Sequence, residues 1–205
     1  MSAAGPVGMW FSRGNLREVN TWAAKSVVPV LVARLAGYSV LMPRGRSAVG
    51  APYDDAALMC ASRLAPGSLA PAIGLWVIND RAVITVQEGR WRRTVNWVIW
   101  DPARGMLRPS GVNLATPTQV LTVAGGGRRD DLIEMLNERH HPPGRLLSAV
   151  AGVLGLPGAA ALVDPETPSR WKRVWQHEPQ DREVQYFEDA VAGAVALRRE
   201  LGMQS

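Results

Sequence analysis

The pattern of hydrophobic and polar positions in residues 75–101, LWVINDRAVITVQEGRWRRTVNWVIWD, predicts three consecutive β-strands. Residues 82–87 alternate between two faces, which is the period of a strand. The two turns between the strands are short, so neighbouring strands must pair antiparallel, and Pro102 ends the third strand. Trp97 lies on one face of that strand with apolar neighbours, and we expect it in the core.

Outside this segment, helical and strand patterns are interspersed. Asn15 and Glu18 have the spacing of a capping box and predict the start of a helix. Pro29 is expected to break or kink this helix, and the continuation ends at Gly37. Residues 1–14 have no period and are expected to be loose, with Trp10 and Phe11 as candidate anchors to the body. Further helices are predicted at residues 54–64, 130–139, 146–154, 170–176 and 181–201, and short strands at residues 38–42 and 118–124.

Together these elements predict an α+β fold. We expect an antiparallel β-meander of about four to six strands, covered by helices on one face, with the long C-terminal helix packed across it. Residues 1–205 are predicted to form a single domain. A sub-boundary near residues 109–117 is the alternative, and it would separate an N-terminal α/β part, 15–108, from a mostly helical C-terminal part, 118–205.

The composition is that of a folded, soluble protein, with 47% hydrophobic and 20% charged residues. The longest apolar runs are interrupted before they reach the roughly 20 residues of a membrane-spanning helix, so no transmembrane segment is expected. Cys60 is the single cysteine, which excludes an intrachain disulfide and favours the reducing cytoplasm. Frequent Arg, Ala, Gly and Pro indicate a GC-rich and therefore bacterial genome.

The formal net charge is +5, but the basic residues are scattered along the chain among 18 acidic ones. Such a distribution predicts at most weak, salt-sensitive binding to nucleic acid, which is the second function class that we consider. The residues that would carry it are Arg44, Arg46, Arg90, Arg92, Arg93 and the segment around Trp171.

A cysteine hydrolase is the third function class. A cysteine nucleophile needs a nearby base and a feature that stabilises the thiolate, such as a helix N-terminus. Cys60 lies in the middle of a predicted helix, and the strand expected over residues 94–101 contains no histidine. We therefore interpret Cys60 as a buried structural residue and predict no catalytic residues.

The three histidines do not indicate a metal site. His140 and His141 are adjacent, so they cannot face one metal ion as histidines four residues apart on a helix do, and His177 has no cysteine near it. We predict neither a metal nor a cofactor.

The glycine-rich stretch after residue 124 is a weak candidate for anion binding. Gly126, Gly127, Arg128 and Arg129 are predicted to lie between a strand and a helix N-terminus, where backbone amides can bind anions. The stretch lacks the Lys-Ser/Thr of a phosphate-binding loop, and the acidic residues that follow occupy the place of an anion. A plain turn is the favoured interpretation.

The strongest candidate for a partner-binding site combines two tryptophans with basic residues. Trp171 and Trp175 are four residues apart, so a helix would place them on one face, beside Lys172 and Arg173. Trp and Arg dominate the energetically important positions of protein interfaces. The alternative is that both tryptophans pack on the sheet while the cations reach solvent. We therefore expect first a non-enzymatic cytosolic binding or regulatory protein that acts through protein–protein contacts.

Overall fold

A computed structural model of the chain describes residues 7–89, 94–164 and 166–202, and its centre is an eight-stranded antiparallel sheet. The strand order is β7-β6-β5-β4-β1-β3-β2-β8. The α+β class is confirmed, with more strands than the four to six expected. The strands are β1 (Gly8–Ser12), β2 (Val30–Leu35), β3 (Tyr38–Pro43), β4 (Ala72–Ile78), β5 (Arg81–Gln87), β6 (Asn96–Asp101), β7 (Gly105–Leu107) and β8 (Val174–His177).

The predicted meander is present as β4 to β7. Asn79 and Asp80 form the first turn with φ of 48° and 56°, the left-handed region that Asn and Asp tolerate better than most residues. Arg81 Nε donates a hydrogen bond to Asp101 Oδ2 over 3.1 Å and so ties β5 to the end of β6. The end of the second predicted turn and the start of the third predicted strand fall on residues 90–93, which lie outside the described residues.

The expectation that residues 1–14 are loose is wrong for Gly8–Ser12. These residues form β1, which pairs with both β3 and β4 near the centre of the sheet and is buried along its whole length. Met9 and Phe11 face one layer of the core, and Trp10 faces the other. A strand buried on both faces has no polar alternation, which is why the pattern did not reveal it.

The helix predicted after Pro29 is also wrong, because residues Val30–Leu35 form β2. Ala36 and Gly37, with φ of 41° and 90°, make a tight turn that pairs Leu35 with Tyr38 in β3. Gly37 therefore closes a hairpin and does not end a helix.

The described residues also form six α-helices. Asn15 caps α1 as expected, by accepting a hydrogen bond from the Arg17 amide over 2.8 Å. The strand predicted at 118–124 is instead a helix, because Thr116 and Gln119 form a capping box with Pro117 at the first helical position. The helices are α1 (Leu16–Ala23), α2 (Ala56–Ser62), α3 (Pro117–Ala124), α4 (Arg129–Asn137), α5 (Pro143–Val153) and α6 (Asp181–Glu200), with short 3₁₀ helices at Gly67–Leu69, Ala159–Leu162 and Thr167–Arg170.

Helices cover both faces of the sheet, where one covered face was expected. On one face α3, α4 and α5 bury Leu132, Leu147 and Val150 against the sheet, and on the other α1 and α2 bury Val19 and Cys60. The predicted C-terminal helix is present as α6, but it does not pack across the sheet, since none of its residues is buried.

Within the described ranges, no helix has both the length and the apolar content needed to cross a membrane. β8 comes from the C-terminal part of the chain and pairs with β2 from the N-terminal part. The extent of the domain stays a prediction.

Candidate functional site

The segment that contains Trp171 and Trp175 is not a helix. A 3₁₀ helix, Thr167–Arg170, ends just before Trp171, and the chain then extends into β8 at the edge of the sheet. The prediction of one shared helical face for the two tryptophans is therefore wrong. A helix this short is marginally stable in water. The segment instead gains backbone hydrogen bonds by pairing with β2 at the edge of the sheet.

The two tryptophans pack against opposite sides of the sheet. Trp175 pairs with Val32 in β2, so its side chain lies on the face that α1 covers, and 38% of its surface is exposed. Trp171 is half-buried against the other core layer, where its ring lies over Gly158 beside Leu35. The interpretation that both pack on the sheet thus applies more to Trp171 than to Trp175.

Both indoles nevertheless line one groove, of about 750 Å³, at the end of β2 and the beginning of β8. We call it the edge groove, and it is lined by Leu16, Arg34, Leu35, Ala36, Pro157, Gly158, Arg170, Trp171, Lys172, Arg173 and Trp175. The structure thus brings together all four predicted partner-binding residues. Sequence reasoning missed Arg34 and Leu35, because they were assigned to a helix and only the β2–β3 hairpin places them here.

The edge groove carries unpaired positive charge. Lys172 and Arg173 are exposed, and neither makes a hydrogen bond or ion pair with any residue that the structure describes. Arg34, by contrast, donates to the Gly14 carbonyl and to Ser39 Oγ over 3.0 and 2.8 Å. Arg170 lies 3.6 Å from Asp164. An anionic group in the groove would therefore meet Lys172 and Arg173 without displacing an existing partner.

β8 also ends the sheet, since β2 is its sole strand neighbour among the described residues. A second cavity, of about 690 Å³, opens on the other side of β8 next to Leu31, Val174 and Gln176. The last residue of β8 is held in place from α1, as His177 Nε2 lies 2.7 Å from Asn20 Oδ1. The site is thus a fixed strand with an open edge and a cavity on each side.

The glycine-rich stretch lies between two helices, α3 and α4, so the strand expected before it is wrong. Gly125 ends α3 with φ of 75°, and a Cβ on Gly127 would come within 2.8 Å of the Val153 carbonyl oxygen. Arg128 precedes α4 with its guanidinium 3.9 Å from Asp131. Anion binding by Gly126, Gly127, Arg128 and Arg129 stays a prediction, and the close packing at Gly127 gives a structural reason for a glycine at that position.

The structure describes only some of the residues named for the nucleic-acid hypothesis. Arg44 is exposed and donates hydrogen bonds to Gln176 and Glu178, which puts it near the end of β8 away from the edge groove. Arg46 is exposed in the loop after β3. Arg90, Arg92 and Arg93 lie outside the described residues.

Cys60 is buried within α2, as the structural interpretation expected. Burial raises the pKa of its thiol to about 12, against a smaller opposing effect of the nearby Arg63 charge. At neutral pH the thiol is therefore protonated and a poor nucleophile. Within the described residues, no cluster of His, Cys, Asp and Glu is arranged to hold a metal ion.

We expect the contribution of Cys60 to the free energy of unfolding to fall as the pH rises from about 9 towards 12, since the raised pKa means that the folded state retains the thiol proton longer than the unfolded state. Chemical denaturation across this pH range measures the fall. Cys60→Ala is the matched control, because it should remove the part of the slope that the thiol contributes. Rapid labelling of native Cys60 by iodoacetamide at neutral pH would contradict the buried assignment.

No family model, no curated protein and no solved structure matches this chain.

Proposed function

We propose that this chain is a non-enzymatic binding protein that takes up an extended, acidic segment of a partner protein along β8 and the edge groove. The observation that carries the proposal is the exposed Trp175 beside the unpaired Lys172 and Arg173 on an open strand edge. The single cysteine and the arginine-rich composition support a location in the bacterial cytoplasm as part of the same proposal.

An open strand edge favours an extended partner. A segment that adds to β8 gains backbone hydrogen bonds, and its side chains point alternately to the two sides of the sheet. Each side of β8 has a cavity, one beside Trp175 and one beside Val174 and Gln176. Alternate side chains of the added strand would therefore each find a place to bury.

Charge favours an acidic partner. Lys172 and Arg173 precede β8 directly, so carboxylates near one end of the added strand would lie within reach of both. Trp175 adds a large, rigid contact surface of the kind that carries binding energy in protein interfaces. Single-stranded nucleic acid is the second candidate, because exposed indoles also stack on bases next to basic residues.

The test uses fluorescent peptide pools about ten residues long, long enough to span a strand edge, with Asp and Glu at alternate positions in one pool and Lys in the other. We expect the acidic pool to bind and a single-stranded oligonucleotide to bind more weakly. Both Trp175→Ala and the double charge reversal Lys172→Glu/Arg173→Glu should weaken peptide binding by at least about tenfold, measured by fluorescence anisotropy.

The control is the double variant Arg128→Glu/Arg129→Glu, which makes the same charge change at the glycine-rich stretch and should leave peptide binding intact. Trp175→Ala should cost less stability than truncation of a buried tryptophan, because 38% of its surface is exposed. Preference for the oligonucleotide would favour the nucleic-acid function instead. Equal binding of the acidic and basic pools, or binding that ignores the Trp175 and Lys172/Arg173 changes, would contradict the proposal.

A further inference from the structure

The helix α6 contacts the rest of the protein along only part of its length. It spans Asp181–Glu200, which corresponds to about 30 Å. Its half-buried residues are all in the first part of the helix, where Phe187 packs edge-on against Tyr53 with ring centroids 5.2 Å apart. Residues 192–200 are exposed on every side. The second half of α6 thus extends from the body without packing on it.

An apolar stripe runs along α6 next to the side that contacts Tyr53. Its members recur at helical spacing: Tyr186, Ala190, Gly193, Ala194, Leu197 and Leu201. Tyr186, Leu197 and Leu201 are 74%, 56% and 64% exposed. Side chains of this size and exposure on one stripe are typical of a surface that has a protein partner.

A cavity of about 480 Å³ lies where the first half of this stripe meets the body. Tyr186, Phe187 and Ala190 form the α6 side of the cavity, and Val27 and Met59 lie on the opposite side. The first half of the stripe therefore borders a cavity, and the second half carries exposed leucines.

We infer that α6 pairs antiparallel with the α6 of a second copy of this chain, so that Leu197 and Leu201 of each copy enter the cavity of the other. Both parts of the contact, cavity and leucines, lie on one stripe, which is the self-complementarity that a two-fold interface needs. A two-fold axis on the stripe side of α6, level with the midpoint between Ala190 and Gly193, places Tyr186 of one copy beside Leu197 of the other.

The residues near this axis allow the two helices to approach closely. Ala190 of one copy would lie beside Gly193 and Ala194 of the other, and small side chains at a crossing shorten the distance between helix axes. Parallel pairing would instead place Leu197 against Leu197 and leave both cavities empty. The antiparallel arrangement alone uses both halves of the stripe.

Charge also favours the antiparallel arrangement. Arg182 and Glu200 lie on the same flank of the stripe, at opposite ends of α6 and about equally far from the proposed axis. Antiparallel pairing brings Arg182 of one copy beside Glu200 of the other, twice. The acidic first turn of one helix, with Asp181 and Glu183, also meets the end of the other helix that carries Arg198 and Arg199.

The first test is the molar mass of the full chain by analytical ultracentrifugation across the micromolar range. We expect a dimer, which Leu197→Glu should convert to a monomer with an unchanged circular dichroism spectrum, because Leu197 is exposed within one copy. Ala192→Glu is the matched control on the opposite side of α6, and it should remain a dimer. A monomeric wild-type chain, or a dimer that Leu197→Glu does not affect, would overturn the inference.

The second test decides the orientation of the helices. The double variant Tyr186→Cys/Leu197→Cys should form a disulfide-linked dimer on mild oxidation, seen on a non-reducing gel. In antiparallel pairing, each single variant places its two cysteines about 16 Å apart along the helices, too far for a disulfide. Cross-linking of the single variants, or none in the double variant, would overturn the antiparallel arrangement. Cys60 is buried and does not compete.

Discussion

Replacing Trp76 by alanine is expected to lower the free energy of unfolding by about 3–5 kcal/mol, the largest single effect that we expect in this protein. Trp76 lies in β4 near the centre of the sheet and is fully buried. Its indole Nε1 donates a hydrogen bond to Thr85 Oγ1 over 2.9 Å. The truncation would leave both a cavity and a buried hydroxyl without its donor, and urea unfolding followed by circular dichroism measures the loss.

Trp97→Ala is the matched comparison. The sequence pattern placed Trp97 in the core, but the structure shows it half-buried in β6, at the margin of the layer that contains Trp76. The core expectation for Trp97 is therefore corrected, and its truncation should cost about half as much, since less surface leaves water on folding. Equal losses for the two variants would mean that β6 is more deeply covered than the structure shows.

The contrast between Trp76 and Trp97 illustrates what the sequence could establish. The alternation of residues 82–87 and the short turns on either side identify a meander from local information alone. They do not reveal what lies over each face. That depends on α1, which packs on β2 and β3, and on α2, which packs on β3 and β4.

The strands that were missed share one physical cause. β1 lies between β3 and β4 and is covered on both faces, so Met9, Trp10 and Phe11 are all apolar and give no period of two. β2 has a similar apolar run, for which the pattern predicts a helix. Propensity over so few residues cannot separate a buried strand from a buried helix, and pairing with distant strands decides the outcome.

At the candidate site, too, the local sequence identifies the residues, and pairing with a distant strand decides their conformation. Residue chemistry alone identified Trp171, Lys172, Arg173 and Trp175, and the structure places all of them on the edge groove. Their conformation was wrong because β8 is a strand through pairing with β2, far away in sequence. For α3, the sequence does contain the evidence for a helix. Thr116 and Gln119 have the spacing of a capping box, and the proline between them is typical of the first helical position.

Gly74→Ala should lower the free energy of unfolding by about 1–3 kcal/mol, although it adds only one methyl group. A Cβ on Gly74 would collide with the indole nitrogen of Trp76 and come within 2.5 Å of Thr85 Oγ1. Gly8, in the neighbouring strand, lies equally close under the other ring of the same indole. The Trp76 ring therefore lies flat on the sheet because two glycines leave space beneath it.

Two comparisons separate this steric effect from the general effect of replacing a glycine. Gly152→Ala in α5 adds the same methyl group where no atom lies within 4 Å, and it should raise stability by about 0.5–1 kcal/mol, because alanine favours a helix. In a Trp76→Ala background, Gly74→Ala should cost clearly less than in the wild type, because its main obstacle has gone. A double-mutant cycle by urea unfolding measures that coupling. Strict additivity of the two changes would show that the Trp76 ring does not rest on Gly74, and the packing of this core layer would have to be reassigned.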